Sequence, residues 1–260
     1  MSHNNASPKR IISRLDIKNR RVVKGVMMEG VQDVGDPIEL CQRYFNQGAD
    51  EIILLDTLAS LYQRIELPGI ISELVKDIFI PICAGGGINS CQSAENLFHA
   101  GADKVCINTS AIENPRLLVE LSKEFGAQSI VLQVDARYIK GKWRIFSNSG
   151  RDMSIVALPS WLKIAQEAGV GELLITSIEK DGTGRGPDFP LIEIVKKYAN
   201  IPIIYGGGIS NTKHICSVLK NKQIDAISLA SFLHIDNTNI TNIKSDLKNM
   251  GIVVREEIGQ

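Results

Sequence analysis

No apolar run in this 260-residue chain approaches the roughly 18 residues of a membrane-spanning helix. The polar start MSHNNASPKR also lacks the hydrophobic stretch of a secretory signal. The sequence therefore reads as cytoplasmic. Net charge is missing as well: 29 lysines and arginines balance 29 aspartates and glutamates, so no overall field draws the chain to nucleic acid or an anionic membrane. An anionic ligand would have to be captured locally. Cys41, Cys83, Cys91, Cys106 and Cys216 stand singly without a C-x-x-C pair, and the four histidines are as dispersed, so neither a disulfide framework nor a zinc site is indicated. What remains is an ordinary globular composition, 44% hydrophobic and 22% charged, with enough apolar material for a full core.

The chain does contain an internal repeat. FIPICAGGGI, with Pro81, recurs as NIPIIYGGGI, with Pro202, and GADEIILLD from Gly48 recurs as GVGELLITS from Gly169; both pairs are 121 residues apart. SRLDIKNR, with Asp16, is echoed by LQVDARYI, with Asp135, and DKVCIN from Asp103 by DAISLA from Asp225. Each segment is a short Ile-, Val- and Leu-rich run, as expected of a strand covered on both faces. Helical stretches such as IELCQRYFNQGAD, SAENLFHAGAD, NPRLLVELSKEFGA, LPSWLKIAQEAGVG and DFPLIEIVKKYAN lie between them.

Strands are thus expected near 10–17, 50–56, 79–84, 103–108, 129–135, 171–177, 201–205 and 225–230, which predicts an α/β protein of the (β/α)8 TIM-barrel class. The division is one domain over 1–260, with half-barrels of about 10–128 and 129–250 and a disordered tail over 1–8. A doubly wound open sheet is the runner-up, disfavoured by the two-fold repeat and by the absence of G-x-G-x-x-G.

In such a barrel, chemistry belongs at the carboxyl ends of the strands. Gly85 to Gly87 and Gly206 to Gly208 follow strands and precede helices, so their amides can face a phosphate; a tight turn packing strand on helix explains them equally. One βα unit later come Asn108-Thr109 and Ala230-Ser231, so each half could build a cradle for one phosphate. Asp16 and Asp135 end strands 1 and 5 on opposite sides of the mouth, a placement suited to general acid and base work; the plainer reading is a helix cap or loop ion pair. Lys24, in the basic stretch IKNRRVVKGV, could reach in from a long first loop, a lid candidate, or be solvated. Arg10, Glu51, Lys104 and Glu172 open strands 1, 2, 4 and 6 and converge at the barrel floor, either as a stabilising ion-pair ring or as a gate for something small.

RLDIKNRRVVKG, IPICAGGGINS, GADKVCINTSAIENP, GELLITSIEKDGTGRGPD and IPIIYGGGISN occur in the order found in the cyclase subunits of imidazole glycerol phosphate synthase, and from about Arg10 to Arg255 the chain resembles that family. The resemblance implies acid and base roles for Asp16 and Asp135, and a substrate contact for Lys24. It implies phosphate ligands at Gly87, Asn108, Thr176, Gly207, Gly208, Ala230 and Ser231, and loop contacts at Ser149 and the turn Asp181-Gly182-Thr183. It makes Arg10, Glu51, Lys104 and Glu172 an ammonia gate. It further implies a glutaminase partner forming a heterodimer, docked around the floor and Asp103, a small bisphosphate substrate, and no metal or organic cofactor.

Several positions depart from the family pattern. Arg14 and Gln133 stand where small residues are usual, Cys83 where threonine is, Gly206 where serine is, and Met153 where a polar residue is. Arg14 and Gln133 each precede their aspartate by two residues, so both should point inward and meet one layer below the carboxylates, with the Gln133 amide oxygen and Asp16 as the nearest acceptors for Arg14, whose pairing with Asp16 would lower that carboxyl's proton affinity. These departures resemble paralogous amidotransferase subunits of surface-sugar biosynthesis. A barrel that only binds and activates a glutaminase is a further alternative.

Overall fold

The structure is a computed structural model that describes residues 7–59, 66–236 and 238–256. Six of the eight residues of the expected tail, 1–6, lie outside the described residues. Twelve strands form one sheet: β1 (Arg10–Lys18), β2 (Arg21–Val26), β3 (Glu29–Gly35), β4 (Glu51–Asp56), β5 (Ile82–Gly85), β6 (Lys104–Ile107), β7 (Ile130–Ile139), β8 (Lys142–Ser147), β9 (Asp152–Ala157), β10 (Glu172–Ser177), β11 (Ile203–Gly206) and β12 (Ala226–Leu229). The order β10-β11-β12-β1-β4-β5-β6-β7, with β7 pairing back onto β10, closes eight parallel strands into a barrel. Helices between the strands complete the (β/α)8 architecture.

Period-2 alternation sorts the side chains into two cores. From β1, Ile11, Leu15 and Ile17 join the large core between strands and helices, whereas Ile12 enters a smaller cluster inside the barrel with Ile53, Leu55, Cys83, Cys106, Val131, Leu174, Ile204 and Ala226. Arg10, Arg14 and Asp16 share the parity of Ile12 and occupy the barrel's two ends.

The repeated Asp before a strand has a structural use. Asp50, Asp103 and Asp225 each accept a hydrogen bond from the first free N–H of the preceding strand, at Ile11, Ile82 and Ile203, at 2.7, 2.8 and 3.0 Å. The same carboxylate thus fixes register in both halves.

Two boundaries differ from expectation. Expected near 79, β5 starts at Ile82, because Pro81 has no N–H to donate and Phe79 is 77% exposed. The first and fifth barrel strands each run on into an antiparallel excursion, β1 into β2 and β3, and β7 into β8 and β9. The expected long first loop is therefore a hairpin, turned at Met27 and Met28 in left-handed conformations. Among the described residues, no helix is long and apolar enough to cross a membrane.

Candidate functional site

Asp135 sits on β7 at the carboxyl end of the barrel, completely buried. Its carboxylate accepts from Gln133 Nε2 at 2.9 and 3.1 Å and from Asn108 Nδ2 at 2.9 Å. Burial dominates and pushes the carboxyl up to about 6, against the pull of Arg14 and the Gln133 bond. Asp16, on β1, has the opposite balance. Burial would raise it, but the Arg14 guanidinium, whose Nε donates to Oδ1 at 2.9 Å, and Lys24, with Nζ 3.6 Å from Oδ2, outweigh burial and hold it below the usual carboxylate range. Lys24 extends inward from β2 and donates to Asp181 at 2.6 Å. The backbone N–H of Met27 also bonds to the Asp181 carbonyl, so the hairpin lies docked on the loop after β10.

A cavity of about 100 Å³ opens above Asp135, lined by Asp16, Lys24, Gly87, Asn108, Thr109 and Ser149 among others. A smaller one lies on the other half, lined by Gly182, Gly207, Gly208, Ala230 and Ser231. Arg14 borders both. The glycine turns are demanded by packing whether or not they hold an anion. A Cβ at Gly86 would lie 2.3 Å from the Asp56 carbonyl, and one at Gly208 2.1 Å from the Gly186 carbonyl, both in left-handed backbone. The turns also leave the cavity walls bare of side chains. Gly182 packs likewise, its added Cβ meeting the Gly25 carbonyl at 2.2 Å. Ser149 donates to the Thr57 carbonyl, and Asn108 Oδ1 is buried without a partner. Thr176, fully buried on β10, accepts from Arg14 Nη1 at 3.0 Å.

At the floor, Arg10 donates to Glu51 at 2.6 Å and also to Glu172, while Lys104 Nζ lies 3.1 Å from Glu51 and 2.8 Å from Glu172. The four expected residues therefore form a closed, neutral ring. Burial raises Glu51, whereas Arg10 and Lys104 outweigh burial at Glu172 and lower it. Between ring and carboxylates lies the apolar inner cluster.

Residues 10–239 match the family described as histidine biosynthesis proteins. This chain belongs to that family. It is 42% identical to the imidazole glycerol phosphate synthase subunit HisF of Bacillus cereus strain AH187 over 95% of this chain and 98% of that one. The figures are the same for strain Q1, and for strain G9842 the identity is 41%.

Arg14 and Gln133 both point inward, as expected, and of the two acceptors expected for Arg14 in this histidine biosynthesis family member it bonds to Asp16 and not to the Gln133 amide, while Gln133 donates to Asp135. Two cavity cations were not anticipated. Lys18 continues the inward parity of Arg10, Arg14 and Asp16 on β1, a signal present in the sequence, whereas Arg151 arrives only through the β8–β9 hairpin. Sequence reading also passed over His234, which bonds to the Arg14 carbonyl at 2.9 Å and Tyr44 Oη at 2.6 Å and is held neutral by burial, at about 4.

Proposed function

We propose that this chain is the cyclase subunit of an imidazole glycerol phosphate synthase, a lyase of histidine biosynthesis. The observation that carries the reading is the pair of buried carboxylates, Asp16 and Asp135, set at the barrel mouth between two glycine-walled cavities, with a charged ring at the opposite end. Ammonia from a docked glutaminase passes the ring of Arg10, Glu51, Lys104 and Glu172, crosses the barrel and adds to the ketone of phosphoribulosyl-formimino aminoimidazole carboxamide ribonucleotide, with loss of water to give an imine. Its nitrogen attacks the formimino carbon, and expulsion of the aminoimidazole carboxamide ribonucleotide closes the ring of imidazole glycerol phosphate. These are proton transfers and additions that draw on no metal or organic cofactor.

Gly87, Asn108 and Ser149 hold one end of the substrate, Thr176, Gly182, Gly207, Gly208, Ala230 and Ser231 hold the other, and Lys24, positioned by Asp181, reaches its middle. Asp135 takes the proton as base, since it is ionised at neutral pH yet basic for a carboxylate. The electrostatics also favour Asp135 as the group that returns the proton, because Arg14 and Lys24 stabilise Asp16 as an anion and leave it no proton to donate near neutral pH. The relatives do not favour the surface-sugar amidotransferase or the non-catalytic barrel. The protein is expected to work in the cytoplasm as one barrel domain paired with its glutaminase.

The test is turnover of this ribonucleotide with an ammonium salt as nitrogen source. Wild type should release imidazole glycerol phosphate, Asp135→Asn should lower kcat about 100-fold or more, and Asp16→Asn, which removes the anion that holds Arg14 and Lys24 at the mouth, should lower it as well. Absence of turnover in the wild type, or near-normal rates in both folded variants, would sink the assignment.

A further inference from the structure

The two donors to Asp135 reach it by different routes. Asn108 comes from the end of the neighbouring strand β6, whereas Gln133 lies on the same strand, two residues earlier. Side chains two apart on a strand leave the backbone on one face about 6–7 Å from each other. A residue at 133 therefore touches the carboxylate only if its side chain is long and folds along the strand. Gln133 does so, with Nε2 3.1 Å from Oδ1 and 2.9 Å from Oδ2. Its partners fix which end of the amide faces which way: an ionised carboxylate only accepts, and the Cys106 thiol, a donor, faces Oε1 from 4.0 Å.

An ionised carboxylate offers about four lone-pair positions. Oδ2 accepts from both Gln133 and Asn108, each at 2.9 Å, and Oδ1 from Gln133 alone. Among the described residues no other hydrogen bond reaches the carboxylate; Arg14 and Asp16 on β1 and Asp181 after β10 act on it through their charge. One acceptor position, on Oδ1, is therefore open. Asp135 is fully buried, while Gln133 is half-buried and lines the same cavity, so the amide stands beside the carboxylate at the cavity floor. The last torsion of an aspartate is broad and only weakly restrained by itself. With Asn108 as sole donor, the carboxylate would be free to turn about that one bond.

We propose that Gln133 is a positioning residue for the base: it fixes the plane of the Asp135 carboxylate and leaves one acceptor position, on Oδ1, to take the proton. The proposal rests on the reading of Asp135 as the base of the cyclisation. Holding the anion in this way also makes it less basic, since a donor to the charged form favours that form. Loss of Gln133 thus has two effects that a side chain merely filling space would not produce. The carboxyl should hold its proton more tightly, and the reaction should nevertheless slow, because a stronger base that is no longer aimed gains nothing.

The test has two readouts. The first is carbon NMR of the aspartate-labelled chain, with the Asp135 carboxyl signal assigned by its loss in Asp135→Asn. In Gln133→Met, which keeps the length without the donor, Asp135 should titrate about one pH unit above wild type, the size of one hydrogen bond to a charged group. In Gln133→Lys, a charged donor in place of a neutral one, it should titrate below wild type. The second readout is kcat and KM for the ribonucleotide at alkaline pH, with free ammonia held constant, where Asp135 is ionised in every variant. Gln133→Met should lower kcat about 10-fold and leave KM nearly unchanged. An unmoved Asp135 midpoint in Gln133→Met, an unchanged kcat, or an effect confined to KM overturns the proposal. Circular dichroism checks folding, and if Gln133→Lys does not fold, Gln133→Met decides. If wild type fails to turn over the ribonucleotide, the proposed reaction falls, and the NMR midpoints by themselves decide whether Gln133 holds the carboxylate.

Discussion

Replacing Asp135 with asparagine should alter stability in a way that depends on pH. The carboxyl is fully buried and sits at about 6, against an ordinary value of 3.8. Because the folded value is the higher one, the folded chain holds this proton more tightly than the unfolded chain. Its contribution is fully present below about pH 4 and is lost as pH rises through 6. At about 1.4 kcal/mol per pH unit, the whole effect is ~3 kcal/mol, of which about 2 kcal/mol falls between pH 4.5 and 7.5. Asparagine does not titrate, so the stability of wild type minus that of Asp135→Asn should fall by that amount over the interval. For a chain of this size it corresponds to roughly 4–8 °C in the difference of Tm. The new amide faces the donors of Gln133 and Asn108, which adds an offset, but the offset is the same at every pH. Thermal unfolding at half-unit steps of pH measures the difference directly. Asp16→Asn serves as the contrast: Asp16 is lowered, its contribution is lost only as pH falls through the lowered value, and its difference curve should be flat over the same range. A flat curve for Asp135→Asn, or one that rises with pH, would refute the account of Asp135 as a burial-dominated carboxyl.

With total ammonium adjusted at each pH to keep free ammonia constant, kcat/KM for the ribonucleotide should fall below about pH 6 by close to tenfold per pH unit as Asp135 becomes protonated; a profile level down to pH 5 under that condition would remove Asp135 from the role of base. Glu51→Gln leaves Arg10 and Lys104 under-compensated inside the floor ring and should cost about 3 kcal/mol, read as a drop in Tm, whereas an unchanged Tm would show that the ring contributes little. Asp103→Asn keeps an acceptor for the Ile82 N–H while removing an exposed charge at the floor. It should weaken co-purification with the glutaminase and spare turnover with ammonium salt; full retention of the complex would move the docking surface elsewhere.

Much of the architecture was legible in the chain because a doubled pattern is hard to produce by chance. Two proline-led strands ending in three glycines, and two aspartates at matching places, carry both the (β/α)8 barrel and the location of its mouth. Parity along β1 also assigns Arg10, Arg14, Asp16 and Lys18 to the interior, since alternate side chains of a strand must share a face. The hairpins β2–β3 and β8–β9 were not legible, because an excursion that pairs with its own barrel strand carries no repeat and its exposed residues impose little hydrophobic period. Asp16 as an acceptor for Arg14 was within reach of the sequence, but tertiary structure decided the remaining partners of the inward groups. Parity brings Arg14 and Gln133 inside, but only the closure of β10 against β7 sets Thr176 within reach of Arg14, and only the placing of Arg14 and Lys24 against one of the two buried carboxyls separates Asp16 from Asp135 in proton affinity. Sequence specifies which side chains enter the barrel, because that depends on local backbone geometry; which of them meet, and which carboxyl keeps its proton, depends on distances and desolvation across strands far apart in the chain.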